Sequence, residues 1–103
     1  MGEKAGRVKI TVLKRFDTGE VFKDSPVKAK YSGPCHVFKD GQVFYVDDTM
    51  PSGFCPFAWD AIFWAVITLK SNGNFSEWYD EPGVAVASCS DGLRPVIFKL
   101  ERK

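Results

Sequence analysis

One long apolar segment, FCPFAWDAIFWAVITL, constrains the fold of this chain more than any other feature. Its small and aliphatic residues recur at steps of three and four, which is the spacing of one buried helical face: Ala58, Ile62, Ala65, Val66 and Leu69. Proline suits the first position of a helix, and Asn-Gly suits the end of one, so the pattern predicts a helix from Pro56 to Lys70. Apolar side chains also lie outside this face, so the helix must be covered on several sides by a sheet and a loop, or by another subunit.

Two segments before the helix alternate in the manner of half-buried strands. In RVKITVLKRF, Arg7 to Phe16, the residues Val8, Ile10 and Val12 share one face. In GQVFYVDD, Phe44 and Val46 share one face, and Val43 and Tyr45 share the other. A third short strand is predicted at Glu20-Val21-Phe22, inside a segment that Gly and Pro interrupt repeatedly.

After the helix, two apolar runs flank Asp91-Gly92, which is a strong hairpin signal. A two-residue turn there would pair Cys89 with Arg94, Ala87 with Val96 and Ala85 with Phe98. The prediction is an α+β domain over residues 7–103. It comprises a mainly antiparallel sheet of about four strands, one main helix at about 56–70, and a C-terminal β-hairpin turning at Asp91-Gly92. Residues 1–6 are predicted to be a flexible tail.

Charge and hydropathy exclude some classes of protein. The formal net charge is +1, so no basic excess draws the chain to nucleic acid. The N-terminal residues lack the apolar core of a secretory signal. The longest apolar segment contains Asp60 and is too short to span a bilayer comfortably. We therefore expect a cytoplasmic protein with no nucleic-acid or membrane partner.

The cysteines are the main candidates for chemistry. Cys35, Cys55 and Cys89 each stand at the end of a predicted element, beside Gly, Pro or Asp-Gly. A structural disulfide is not expected in a reducing cytosol, which leaves packing thiols, reactive thiols or a metal site. The spacings are 20 and 34 residues, so the paired C-x-x-C spacing of many zinc and iron–sulfur sites is missing.

Cys55 has the most distinctive position of the three. Because Pro56 suits the first helical residue, Cys55 is predicted to be the N-cap, next to the positive end of the helix dipole. Helix N-termini favour the thiolate form of cysteine, which makes Cys55 a candidate nucleophile. The alternative is that Cys55 only fills a small space between helix and sheet.

Three further residues are candidates for an additional ligand or an anion contact. His36 could complete a Cys₃His site, although neighbouring residues in an extended segment point to opposite faces. Asp91 could contribute a carboxylate, but the turn also needs it. Arg94 could hold a thiolate or an anion, or could be an exposed hairpin charge. The sequence contains no glycine-rich phosphate loop, and one histidine supports no Ser-His-Asp set, so an enzyme is less expected than a binding protein.

Four blocks of the chain, taken in order, resemble a family of small uncharacterised prokaryotic proteins. The blocks are VKITVLKRF, GPCHVFKDGQVFYV, MPSGFCPFAWDAI and CSDGLRPVIFKLER. The resemblance implies a short single-domain or repeat protein in which Cys35, Cys55 and Cys89 belong to the shared pattern. It implies no activity. His36 stands where the pattern often has proline, so the resemblance gives His36 no ligand role.

Three hypotheses follow. In the first, Cys35, Cys55 and Cys89 converge near the helix N-terminus and bind zinc or an iron–sulfur cluster, or act as a redox-sensitive thiol group. In the second, the protein is a non-catalytic homo-oligomeric or partner-binding module with structural cysteines, and Trp59, Phe63 and Trp64 form the interface. In the third, Cys55 is the nucleophile of an enzyme.

Overall fold

The computed structural model describes residues 7–103, and the predicted tail at residues 1–6 lies outside this range. The elements, in chain order, are β1 (Val8–Arg15), α1 (Thr18–Val21), β2 (Val43–Val46), α2 (Pro56–Lys70), β3 (Val84–Ser88) and β4 (Val96–Arg102). The strands form a four-stranded sheet of order β2-β1-β4-β3, in which every neighbouring pair is antiparallel. The predicted α+β fold with one main helix is therefore confirmed.

Helix α2 packs against one face of the sheet and forms the core with it. The helical residues predicted to face inward are the ones that are buried: Ala58, Ile62, Ala65, Val66 and Leu69. The sheet contributes Val8, Ile10 and Val12 from β1, as predicted, with Phe44 and Val46 from β2. Period-2 strands and a period-3.6 helix thus meet along one apolar layer, because each element is apolar on only part of its surface.

An aromatic cluster fills one end of this core. Phe38 lies at its centre, with ring centroids 5.8 Å from Phe44, 5.0 Å from Phe54 and 5.2 Å from Phe98. All three pairs have the edge-to-face geometry that the ring quadrupoles favour. Phe38 and Phe54 come from irregular segments, so the cluster attaches both loops to the sheet.

The predicted strand at Glu20–Phe22 is wrong. Residues Thr18–Val21 form a short helix, and the backbone N–H of Asp17 donates to Glu20 Oε1 at 2.9 Å. The Asp17-x-x-Glu20 spacing is that of a capping box, in which the N3 carboxylate reaches back to the N-cap N–H. This local capping interaction prevails over the strand preference of Val21 and Phe22.

The C-terminal hairpin is confirmed, but its register differs from that of a two-residue turn. Ala87 pairs with Phe98, and Ala85 pairs with Leu100, two residues further along β4 than the turn predicts. Asp91-Gly92 lies in a longer loop, where Asp91 Oδ1 accepts from the backbone N–H groups of Leu93 and Arg94 at 2.8 and 3.1 Å. A shift of two residues keeps the same face of β4 buried, so the core is unchanged.

The C-terminal end of α2 is closed by an arginine from the last strand. Arg102 Nη1 donates to the carbonyl oxygens of Leu69 and Gly73 at 3.0 and 2.7 Å, and Nη2 donates to Asn74 Oδ1 at 2.8 Å. Asn72 takes the left-handed conformation, with φ of 65°, that ends many helices. Arg102 belongs to the charged C-terminal run KLERK, whose pattern predicts ordinary solvated charges. For Arg102 that expectation is wrong, because its guanidinium satisfies helix-end carbonyls.

The one long helix, α2, has 15 residues. Within residues 7–103, no helix is long and apolar enough to cross a membrane.

Candidate functional site

All three cysteines line one pocket of about 180 Å³, which we call the cysteine pocket. Its walls are completed by apolar residues of the core and by the hairpin loop: Phe38, Phe57, Ala58, Ser90, Asp91, Arg94 and Val96. Each of the three cysteines is half-buried and has a free thiol. The three cysteines were predicted to converge because each stands at the end of an element. In the structure they line the same pocket.

Three separate elements bring the cysteines to this pocket. Cys55 is the N-cap of α2, as predicted, and its side chain makes no capping hydrogen bond. Cys89 follows β3, and its Sγ accepts a hydrogen bond from the backbone N–H of Val96 at 3.3 Å. Cys35 lies in the loop before Phe38, whose buried ring holds that loop against the core. The pocket therefore opens where the start of α2 meets the hairpin.

Two arginines hold the loop that carries Cys35. Arg15 Nη1 donates to the carbonyl oxygen of Cys35 at 2.8 Å, while its Nε contacts Asp40 at 3.0 Å. Arg94 Nη1 lies 3.2 Å from the carbonyl oxygen of Gly33 and 3.4 Å from that of Pro34. The carbonyls of three successive loop residues are thus bound by guanidinium groups from β1 and the hairpin loop.

Arg94 lines the cysteine pocket, and its guanidinium also contacts neighbouring protein groups. Its side chain is only 15% exposed, and Nε lies 3.9 Å from Asp91 Oδ2, so it is not an exposed hairpin charge. Asp91 uses Oδ1 for the backbone N–H groups of the turn. Asp91 therefore stabilises the hairpin loop, and Arg94 connects that loop to the loop of Cys35.

His36 is exposed and is absent from the lining of the cysteine pocket. This placement agrees with the alternation of neighbouring side chains along an extended segment. Asp91 and Arg94 therefore line the same pocket as the three cysteines, and His36 does not.

The donor set of the cysteine pocket is chemically suited to zinc or an iron–sulfur cluster, because both prefer thiolates. Among residues 7–103, no group of three or more His, Cys, Asp or Glu side chains is placed so that it could hold a metal ion. Metal ligation by Cys35, Cys55 and Cys89 therefore stays a prediction.

The aromatic residues predicted for an interface lie on the outer side of α2. Phe63 is 44% exposed and Trp64 is 42% exposed, whereas Trp59 is half-buried and packs between Phe54 and Phe63. Trp64 contacts aromatic rings of the loop between α2 and β3. None of these three side chains lines the cysteine pocket.

Sequence reasoning missed two residues that build the site. Phe38 was given no role, because it stands beside the turn signal Lys39-Asp40-Gly41 and outside the periodic strand segment. The charged run KRFD has the pattern of ordinary solvated charges. However, the Arg15 side chain is only 23% exposed and donates to the carbonyl oxygen of Cys35. Arg15 is the last residue of β1. No local signal in the sequence identifies a hydrogen-bond partner 20 residues away.

Comparison of the chain with models of known protein families, with curated proteins and with solved structures found no match.

Proposed function

We propose that this protein is a cytoplasmic thiol-based redox sensor, in which Cys35, Cys55 and Cys89 are the responsive groups. The observation that carries the proposal is the cysteine pocket, where three thiols from three separate segments face a shared space. Cysteines that serve only packing have no reason to gather at one half-open site, since each could fill a gap elsewhere in the core.

Two properties of the pocket support oxidation rather than inert burial. The thiols are half-buried, so a small oxidant can reach them. The Cys35 loop and the hairpin are held by hydrogen bonds from Arg15 and Arg94, which fix two of the three cysteines relative to the core. The pocket volume of about 180 Å³ admits a peroxide but is smaller than the sites of drug-sized ligands.

The chemistry balances with a peroxide as oxidant. One thiolate attacks a peroxide oxygen, the O–O bond breaks, and a sulfenic acid forms as one water leaves. A second cysteine of the pocket then attacks that sulfur and releases another water. In total, two thiols lose two electrons and two protons, and hydrogen peroxide accepts them. The third cysteine remains a free thiol.

The test is a thiol count after addition of one equivalent of hydrogen peroxide to the anaerobically purified protein. We expect the number of free thiols to fall from three to one, with one disulfide inside each chain, located by peptide mass spectrometry. Single Cys→Ser variants identify the pair, because only the variant that retains both partners still forms the disulfide. The variant that lacks the resolving cysteine should accumulate a sulfenic acid that dimedone traps, and the variant that lacks the attacking cysteine should not.

The same reaction in urea is the control, because unfolding removes the pocket but leaves the three thiols in the chain. Oxidation that is as fast in urea as in buffer would refute the proposal, as would disulfides that form only between chains. Metal analysis and a visible spectrum of the anaerobic sample test the metal-binding form of the hypothesis. Stoichiometric zinc or the absorption of an iron–sulfur cluster would assign the thiols to ligation instead.

A second candidate function, a homo-oligomeric binding module, is supported by the exposed outer side of α2. Phe63, Trp64 and Ile67 are 42–48% exposed on successive turns. Aromatic residues of this kind are enriched at protein interfaces.

Sedimentation over a range of protein concentrations tests this second function. If it is correct, the protein sediments as a dimer or larger species, and Phe63→Ser shifts it to the monomer. Asp60→Ser, on the same helix and also exposed, is the matched control and should leave the oligomer intact. A strict monomer at every concentration would contradict the oligomer.

A further inference from the structure

A second cleft lies on the opposite end of α2 and shares no residue with the cysteine pocket. It has a volume of about 280 Å³, and we call it the tryptophan cleft. It is lined by one residue of α2 and by the start of the loop that follows: Trp64, Asn74, Phe75, Ser76, Glu77 and Trp78. Three aromatic side chains and a carboxylate therefore face one small space.

The aromatic walls have a defined geometry. Trp64 lies edge-to-face with Phe75 at 5.3 Å and 84°, and with Trp78 at 6.3 Å and 74°. Phe75 and Trp78 are nearly parallel, at 20°. The aromatic lining thus has rings in two roughly perpendicular orientations.

The loop that forms the cleft is held in place on both sides. Asn74 Oδ1 accepts from the backbone N–H of Gly83 at 2.8 Å, which closes the loop where it returns to β3. Tyr79 bonds to the outer edge of β3: its hydroxyl accepts from the N–H of Val86 at 3.2 Å and lies 3.3 Å from the carbonyl oxygen of Val86. Compact loops with close ends and internal side-chain packing are frequently functional. Preorganisation of this kind reduces the entropic cost of binding.

The charge of the loop is uniformly negative. Asn74–Gly83, NFSEWYDEPG, contains three acidic residues and no basic one, in a chain whose net charge is +1. Glu77 lines the tryptophan cleft, and Asp80 and Glu81 line a neighbouring cleft that shares Asn74 and Ser76 with it. Within residues 7–103, none of these carboxylates takes part in an ion pair.

Arg102 contacts the lining of the cleft, because its Nη2 donates to Asn74 Oδ1 at 2.8 Å. Its guanidinium donates to the carbonyl oxygens of Leu69 and Gly73 at the C-terminal, negative end of α2. Glu77 is the ionisable side chain among the residues that line the cleft itself.

We propose that the tryptophan cleft binds a small organic cation that carries a quaternary ammonium group. Aromatic faces attract such cations through the ring quadrupole. A quaternary ammonium group has no N–H donors, so the cation loses little hydration when it binds. The carboxylates supply charge complementarity, which an uncharged apolar guest would not use. This inference is independent of the redox function proposed for the cysteines.

The test is a titration of the nitrogen-15-labelled protein with choline chloride, followed by the indole N–H signals in NMR spectra at constant ionic strength. We expect the signals of Trp64 and Trp78 to shift saturably, whereas that of Trp59, outside the cleft, does not. The neutral isostere of choline, with carbon in place of nitrogen, should bind about 10-fold more weakly. Trp78→Leu should weaken choline binding by a similar factor, and the 68% exposure of Trp78 makes loss of folding unexpected.

Glu77→Gln should weaken choline binding several-fold, while Asp60→Asn, a matched change of an exposed acid outside the cleft, should not. Equal binding of choline and its neutral isostere would overturn the proposal in favour of a purely apolar site. Shifts that follow the protein concentration instead of the choline concentration would assign the cleft to a second copy of the chain. An absence of saturable shifts at Trp64 and Trp78 would also overturn it.

Discussion

Replacing Phe38 with alanine is expected to lower the free energy of unfolding by about 3–5 kcal/mol. The ring is only 1% exposed and contacts three other phenylalanine rings, so its removal leaves a cavity in the core. Phe38 also lines the cysteine pocket and anchors the loop of Cys35. Urea denaturation followed by circular dichroism measures the change. Alkylation of Cys35 by iodoacetamide should become faster in the same variant, because its loop loses its anchor.

Phe57→Ala is the matched control for this prediction. Phe57 lines the same pocket, but it is 76% exposed, so the same chemical change should alter the free energy of unfolding by no more than about 0.5 kcal/mol. If the two variants unfold at similar urea concentrations, the aromatic cluster does not have the stabilising role that its burial indicates.

Replacing Arg102 with methionine is expected to lower the free energy of unfolding by about 2–3 kcal/mol. Methionine keeps much of the aliphatic length but loses the donors to Leu69, Gly73 and Asn74. Hydrogen bonds to a charged group contribute about 1.5–3 kcal/mol, and the carbonyls at the end of α2 would lose their partner. Hydrogen exchange of the last turn of α2 should accelerate more than that of β1, because the loss is local to the helix end.

Arg7→Met is the control for the arginine prediction. Arg7 also forms a hydrogen-bonded ion pair, with Asp47 at 2.8 Å, but both side chains are more than half exposed. Exposed pairs of this kind contribute about 0–1 kcal/mol, so the variant should unfold close to the parent. An equal loss of stability in both variants would show that the hydrogen bonds from Arg102 to the helix-end carbonyls contribute no more than an exposed ion pair.

The regular elements were predictable because each one carries its own periodicity. The buried residues of α2 and the inward faces of β1 and β2 follow directly from steps of 3.6 and 2 residues. The short helix at Thr18–Val21 was missed because a side-chain cap, rather than a pattern of hydrophobic residues, determines it. The hairpin register was misjudged because Asp91 binds backbone N–H groups within a longer loop instead of closing a two-residue turn.

The candidate sites were predictable to a lesser degree. Cys35, Cys55 and Cys89 could be singled out because each stands beside a turn signal, and Pro56 identified Cys55 as an N-cap. Arg15 and Arg94 could not be given their role, since a guanidinium that binds distant carbonyls leaves no trace in local spacing. The tryptophan cleft was equally hidden, because Trp64 and Trp78 belong to different elements.

The sequence by itself determined the period at which apolar residues recur and the places where the chain turns. Because these properties are local, they specify the main helix, the strands and the α+β class. Only the tertiary structure decided which loops meet. Strand order β2-β1-β4-β3 places the hairpin loop beside the start of α2. Packing of Phe38 and hydrogen bonds from Arg15 and Arg94 then bring the loop of Cys35 to the same place. The shared pocket arises from long-range contacts, which no local pattern encodes.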